Sequence, residues 1–486
     1  MQVKQKFCRT KIICTLGPAC DNEETLRGLI KEGLDGARFN FSHGTHPEHL
    51  ERIQRFRKIE KEFGLRFPCI LDTKGPEIRL GKFAEPVVLQ EGQKFKLTTN
   101  EVQGDINQAT VSHKGITKDL KPGDTVLIDD GLVELTVDSL TETDVNCTVK
   151  NTGKISSNKG VNLPGIKTTL PSLTEKDIGD LKFGVENGFD YVAASFIRTK
   201  EDCLNIKKYL KDFGGEHIKL IVKIENQEGL DNFDDILTEC DGVMVARGDL
   251  GVEIPVERIP IEQKKMIRKC CRAGKFVITA TQMLDSMINN PRPTRAEVTD
   301  ISNAIIDGSS VVMLSGETAS GKYPIEAVRY MNNIALETEK HLDLTELSRS
   351  LRDFKNVDLS NPIAYKKVID YSVCVTANLL KAAAIICVTV DGMSANILSS
   401  YRAKAPIFAI TANEQVARHL TLVWNVQPVY VEKYSDHRDL IQKGVEKFKE
   451  MKFLVPGDTV VITGDDDKGV QGEKHAAMVS AVMKVK

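Results

Sequence analysis

Gly242-Val-Met-Val-Ala-Arg-Gly-Asp249 is an apolar run that ends abruptly in an arginine, a glycine and an acid. A short apolar run lying between helical segments reads as a buried strand of a parallel sheet. Seven further runs share the pattern: Lys11 to Cys14, Gly36 to Phe39, Cys69 to Leu71, Tyr191 to Ala194, Leu220 to Val222, Phe276 to Ala280 and Ser310 to Leu314. Segments of helical length and period separate most of them, for example Asn22 to Lys31, Pro47 to Phe63, Ile259 to Ala273 and Arg295 to Asp307. Eight strands alternating with eight helices predict an α/β fold, the (β/α)8 TIM barrel.

One interval breaks the rhythm. The third and fourth runs are about a hundred residues apart, too many for an ordinary connection. Inside the interval Phe95 to Leu97, Thr125 to Ile128, Leu132 to Val137 and Val145 to Val149 read as short strands. Pro122-Gly123, Asp130-Gly131 and Asn151-Thr152-Gly153 punctuate them as turns. The inserted piece is therefore expected to be a small all-β domain, a β-barrel able to act as a lid. After a charged helical tail, Glu337 to Asp353, a new α/β pattern begins: a helix from Ile363 to Lys381, then apolar runs Ile385 to Val390, Ile407 to Ile410, Val426 to Val431, Val460 to Thr463 and Ala476 to Val485. The expected division is 1–74 with 171–338 for the barrel, 75–170 for the insert and 339–486 for a C-terminal α/β domain.

Composition fits several cores and narrows the partners. The chain has 486 residues, 41% of them hydrophobic, and its 66 basic and 68 acidic residues leave a net charge of −2. No overall basic excess points to nucleic acid or an anionic membrane, so small anions must be held by local groups. No stretch approaches the ~20 apolar residues of a membrane span, and Met1 to Lys11 is too polar for a signal peptide, so a cytoplasmic location is expected. The eleven cysteines, including Cys14, Cys69 and Cys387, form no Cys-x-x-Cys pair. They read as buried thiols, and the even spacing of Cys8, Cys14 and Cys20 is too wide, with no nearby histidine, for a metal site.

In a barrel of this kind the site is built from the carboxyl ends of the strands. Here those ends carry Thr15-Leu-Gly-Pro18, Asn40-Phe-Ser42-His43, Asp72-Thr73-Lys74, Ser195-Phe196, Lys223-Ile-Glu225-Asn226, Ala246-Arg247-Gly248-Asp249, Thr281-Gln282 and Ser315-Gly-Glu317-Thr318. A lone polar residue there is ordinarily a turn former or helix cap; eight sets on one rim are not. Glu225 and Asp249, on neighbouring strands, suit a hard divalent cation that completes its shell with water and substrate oxygens. Arg38, Lys74, Arg79 and Lys223 surround the same mouth, and Lys223 follows an apolar run in which an unpaired ammonium is costly. Cations converging on two acids and a Gly248-Asp249 backbone describe a site for a phosphorylated carboxylate, and phosphoryl transfer needs such positioning and charge stabilisation. No Walker loop or protein-kinase glycine loop occurs, so a nucleotide must be held otherwise.

The most specific stretches, Thr10-Lys-Ile-Ile-Cys-Thr-Leu-Gly-Pro18, Ala37-Arg-Phe-Asn-Phe-Ser-His-Gly44, Leu71-Asp-Thr-Lys-Gly-Pro-Glu-Ile-Arg79, Lys159-Gly-Val-Asn-Leu-Pro164, Lys223-Ile-Glu-Asn226, Met244-Val-Ala-Arg-Gly-Asp-Leu-Gly251, Ala280-Thr-Gln-Met283 and Met313-Leu-Ser-Gly-Glu-Thr318, stand in the order in which the pyruvate kinase family carries them. The chain resembles that family over nearly its whole length. The resemblance implies transfer of the phosphoryl group of phosphoenolpyruvate to ADP, giving pyruvate and ATP. It implies Mg2+ or Mn2+ on Glu225 and Asp249, Lys223 steadying the phosphoryl group in flight and Arg38 on the substrate phosphate. The carboxylate would lie in a cradle of Gly248, Asp249 and Thr281. A potassium site of Asn40, Ser42, Asp72 and Thr73 is implied, with Glu77 as the marker of potassium dependence. Thr281 and Ser315 both match residues proposed to protonate the enolate, and the choice between them stays open. Pro18, His43, Arg79 and the insert's Lys159 match nucleotide contacts, so closure of the insert would exclude water. The resemblance further implies a homotetramer.

The third domain resembles the family's regulatory domain, with a phosphate-binding loop at Thr389-Val-Asp-Gly-Met-Ser394. Asp391 and Met393 stand where sugar-phosphate-regulated relatives carry hydroxyl or basic residues, and the later loop Gly464-Asp-Asp-Asp-Lys-Gly469 sets three carboxylates together. Adjacent carboxylates repel a phosphate, so activation by fructose 1,6-bisphosphate is not expected. No further phosphotransferase-like domain is expected after Lys486. A metal-dependent lyase acting on pyruvate-like acids would account for Glu225 and Asp249 but not for the insert with Lys159, and a pseudoenzyme would show erosion of the rim set.

Overall fold

The computed structural model describes residues 7–344, 362–465 and 477–486. Strands Lys11–Thr15, Gly36–Asn40, Cys69–Asp72, Tyr191–Ala194, Lys219–Ile224, Gly242–Ala246, Phe276–Ala280 and Val311–Leu314 close into one parallel barrel, the first pairing with the second and the eighth. Alternation decides what each side chain does. Ile13, Ile70, Tyr191, Ile221, Met244 and Ile278 fill the barrel interior, while Ile12, Cys14, Leu71, Val222 and Val243 pack outward against the helices. Thr15, Asn40 and Asp72 belong to the strands themselves, so ladder hydrogen bonds, not mobile loops, fix their backbones. Helix starts are specified locally: Thr174 with Asp177, Thr199 with Asp202 and Thr294 with Glu297 form capping boxes. All eleven cysteines are buried, and among the described residues no helix is long and apolar enough to cross a membrane.

The insert leaves the barrel after Asp72 and returns before the helix Glu175–Glu186. It is a seven-stranded sheet with an additional two-stranded one. Its outermost strands, Ile78–Arg79 and Gln108–Thr110, are joined by an antiparallel bridge between Leu80 and Val111, which brings the sheet's ends together. Leu132 is exposed in a turn, and the strand expected to start there runs from Val133 to Leu140.

The C-terminal unit is a five-stranded sheet in the order Val426–Tyr430, Ile407–Thr411, Ala384–Val388, Thr459–Asp465, Ala477–Lys484, with only the last strand antiparallel. The strand expected to reach Val390 stops at Val388, because the Thr389 hydroxyl turns to accept from the Gly392 N–H. The helix expected from Glu337 to Asp353 ends at Lys340 within Pro324–Lys340, and its continuation from 345 lies outside the described residues, as does 466–469 of the acidic loop.

This unit also seals the barrel floor. Leu422 is fully buried among Ile13, Tyr191, Phe276 and Val311. Lys11 Nζ donates to the Val426 carbonyl at 2.7 Å, and Arg418 bonds Glu60 and the Phe67 carbonyl. His419 Nε2 donates to the Asp190 carbonyl at 3.1 Å, with its ring edge-on to Tyr191. Burial first, then nearby Lys219, lowers the His419 pKa from 6.5 to about 3. Between those values the unfolded chain holds a proton that the folded one does not, so stability contributed by this residue is complete above pH 6.5 and is lost as pH falls. At pH 5 the loss is about 2 kcal/mol. Melting at pH 7.5 and pH 5.0 should therefore show a smaller acid-induced drop for His419→Gln than for the parent; equal drops would show that this imidazole is not held neutral.

Candidate active site

Lys223, on the fifth strand, is the centre of the rim. Its ammonium lies 3.1 Å from Asp72 Oδ1, 2.7 Å from Ser195 Oγ and 2.8 Å from Glu225 Oε1. Burial lowers the pKa of such a group, but Asp72, Glu225 and Asp249 outweigh it and the net shift is upward, so Lys223 is charged. Asp72 also accepts from Arg38 Nε at 2.6 Å, and Arg38 Nη1 donates to Thr15 Oγ1 at 3.0 Å. Burial raises the Asp72 carboxyl, and Arg38 with Lys223 pulls it back below the usual range. A buried carboxylate thus holds two buried cations side by side.

Glu225 is fully buried, and its Oε2 accepts from the Phe196 N–H at 2.6 Å. Its Oε1 has no hydrogen-bond partner; Lys223 is close, but not in hydrogen-bonding alignment. Burial, with Asp249 adding and Lys223 opposing, pushes this carboxyl up to about 7. A desolvated carboxylate oxygen whose neighbours are the Lys223 ammonium and a second acid, Asp249, suits a divalent cation. Asp249, in the first turn of the helix Arg247–Glu253, lines the cleft between barrel and insert. Among the described residues no group of three or more His, Cys, Asp or Glu could hold a metal; Glu225 and Asp249 are a pair of carboxylates. That suits a magnesium-like ion that keeps water and substrate oxygens.

Asn40 and Asp72 are direct partners in register on the second and third strands. Asn40 Oδ1 accepts from the Ser42 N–H at 3.1 Å, and Thr73 Oγ1 accepts from the Ser195 N–H at 3.1 Å. These four oxygen-bearing residues therefore occupy one corner of the rim.

Across the rim, Thr281 and Gln282 follow the seventh strand with φ of +67° and +53°. Thr281 Oγ1 accepts from the Gly248 N–H at 2.9 Å and donates to the Ala280 carbonyl at 2.6 Å. The Gly248 donor, expected to be open to a substrate carboxylate, is thus already engaged by the threonine. Ser315 is fixed through its N–H, which donates to Glu317 Oε2 at 2.7 Å, while Glu317 Oε1 accepts from the Leu284 N–H at 3.0 Å. Glu317 so ties the seventh and eighth strand ends together.

The cleft beneath the insert has a volume of about 320 Å³ and is lined by Glu77, Arg79, Asp129, Lys159 and Asp249, among others. Arg79 Nε lies 2.8 Å from Glu77 and its Nη1 donates to the Asn158 carbonyl at 2.7 Å, while Lys159 Nζ lies 2.8 Å from Asp129. Lys74 lies 3.8 Å from Glu77. Both cations expected to meet the nucleotide are therefore paired with carboxylates. Pro18 and His43 are exposed and do not line this cleft. Asp129 escaped the sequence reading, because Asp129-Asp130-Gly131 reads as a turn; its pair of adjacent acids was the available signal. Asn162 Nδ2 donates to Glu253 Oε1 at 2.9 Å, joining the insert to the helix that carries Asp249.

Two family models match the chain: Pyruvate kinase, barrel domain, over residues 7–328, and Pyruvate kinase, alpha/beta domain, over residues 367–480. It is 47% identical to a pyruvate kinase of Clostridium acetobutylicum over 476 residues, covering 98% of this chain and 99% of that one. A Clostridium perfringens pyruvate kinase is 44% identical, with 98% and 100% covered, and one from Sporosarcina psychrophila is 42% identical, with 98% and 80% covered.

Proposed function

The chain belongs to the pyruvate kinase family and transfers the phosphoryl group of phosphoenolpyruvate to ADP, giving pyruvate and ATP, and from that premise we propose the roles its residues take. Arg38 binds the substrate phosphate and Lys223 stabilises the charge on the phosphoryl oxygens during transfer. The observation that carries this assignment is the buried pair of cations sharing Asp72. Cations desolvated in advance need no reorganisation when charge develops, which is where electrostatic catalysis gains most.

Glu225 and Asp249 hold the Mg2+ or Mn2+, Glu225 through its unpaired Oε1. When bound, the divalent ion supplies positive charge to the phosphoryl and enolate oxygens. The substrate carboxylate takes the Gly248 and Asp249 N–H groups and the Thr281 hydroxyl, displacing the contact between Gly248 and Thr281. Thr281 and Ser315 stand on the rim from which a proton reaches the enolate carbon. The nucleotide polyphosphate takes Arg79 and Lys159 from Glu77 and Asp129, with Pro18 and His43 meeting the rest of ADP from the opposite side once the insert closes. Closure excludes water that would otherwise intercept the phosphoryl group. The assembly is a homotetramer working in the cytoplasm.

Potassium would be held by Asn40, Ser42, Asp72 and Thr73, with Glu77 as the marker of that dependence. Turnover of phosphoenolpyruvate and ADP with Mg2+ present throughout should fall by roughly tenfold or more when potassium is replaced by a non-binding organic cation. Equal pyruvate production in both buffers would strip those four residues of that role.

A further inference from the structure

Thr281 bears a branched side chain in the left-handed region, and Gln282 follows it there. Two successive non-glycine residues of that kind do not stay so unless their surroundings impose it, and β-branched residues resist it most. The surroundings here are one guanidinium. Arg247 Nε donates to the Ala280 carbonyl at 3.1 Å and Nη2 to the Thr281 carbonyl at 2.6 Å. Its Nη1 meets both oxygens of Asp300, at 2.8 and 2.7 Å. The next residue, Gly248, gives its N–H to the Thr281 hydroxyl.

We propose that Arg247 and Asp300 are a positioning pair for the reaction: Asp300, on the outer helix Arg295–Asp307, orients the guanidinium that locks the bend at Thr281 against the helix start carrying Gly248 and Asp249. This rests on the placing of Thr281 in the substrate site above. Geometry favours it over an ordinary ion pair. Two of the guanidinium's nitrogens serve the carbonyls of Ala280 and Thr281, and the carboxylate, with both oxygens on the third nitrogen, anchors the far end of the group and so holds the other two in place. Arg247 reaches substrate only through Thr281 and Gly248, so its effect falls on the alignment of reacting groups and not on nucleotide binding.

The test compares Asp300→Ala, Gln282→Gly and their combination in the full-length protein, using steady-state kinetics well below melting. Misplacing a reacting group is costly, so Asp300→Ala should lower kcat about tenfold, with KM for ADP unchanged. Gln282→Gly, which relaxes the bend without touching the pair, should make turnover less sensitive to Asp300→Ala, so that the double variant keeps most of the kcat of Gln282→Gly alone. Parent-like kcat in Asp300→Ala, or an equal fold-loss from Asp300→Ala in the parent and in Gln282→Gly, overturns the proposal. Thr281→Ala separates the two readings. Full activity there removes Thr281 from the site, whereas impaired Thr281→Ala beside unimpaired Asp300→Ala removes only the positioning pair.

Discussion

Replacing Lys223 by methionine should lower kcat by about a thousandfold, the upper range seen when one preorganised charge is removed from a site where charge develops. Methionine occupies nearly the same volume, so packing is not the cause. Nor is collapse of the charge network: Asp72 keeps Arg38 at 2.6 Å, and Glu225, whose carboxyl is already pushed up to about 7, relieves the lost pairing by taking a proton. A melting temperature near the parent's should accompany the loss. Because the interaction is stronger with the phosphoryl group in flight than with the ground state, the fall should appear in kcat more than in KM for phosphoenolpyruvate. Turnover within tenfold of the parent would take Lys223 out of the mechanism.

The barrel was legible because its strands are buried on both faces: eight apolar runs separated by amphipathic helices admit few other arrangements. Their polar endings were legible for the same reason, since Lys223 or Asp72 beside an apolar run has no bland explanation. What could not be read were contacts made in three dimensions. Arg247 and Asp300 are 53 positions apart, and Asp300 sits on a helix face where an acid needs no explanation. The insert's short strands, such as the three residues Gly160–Asn162, are too brief for their alternation to stand out from a turn and exist because Ile128 and Arg79 offer them partners. Leu422, likewise, belongs to a C-terminal unit whose own pattern says nothing of the barrel floor it fills.

Glu225→Gln bears most directly on the metal. In the metal-free protein the charged form of Glu225 is disfavoured by burial, so a neutral amide of the same shape should melt close to the parent, with Lys223 still held by Asp72 and Ser195. Removing a group that merely orients a ligand typically weakens metal binding by about 10 to 100-fold, and removing a charged ligand should do at least as much. Titration with Mn2+ should therefore give an affinity lowered by on the order of a hundredfold, and the rise in melting temperature that Mn2+ confers on the parent should vanish at the same concentration. Asp249→Asn should behave alike, whereas Glu253→Gln, at a half-buried acid in the same cleft bonded to Asn162, should keep the parent's Mn2+ response. If Glu225→Gln retains Mn2+ binding while Glu253→Gln loses it, the ion lies beneath the insert and not on the carboxylate that follows the fifth strand.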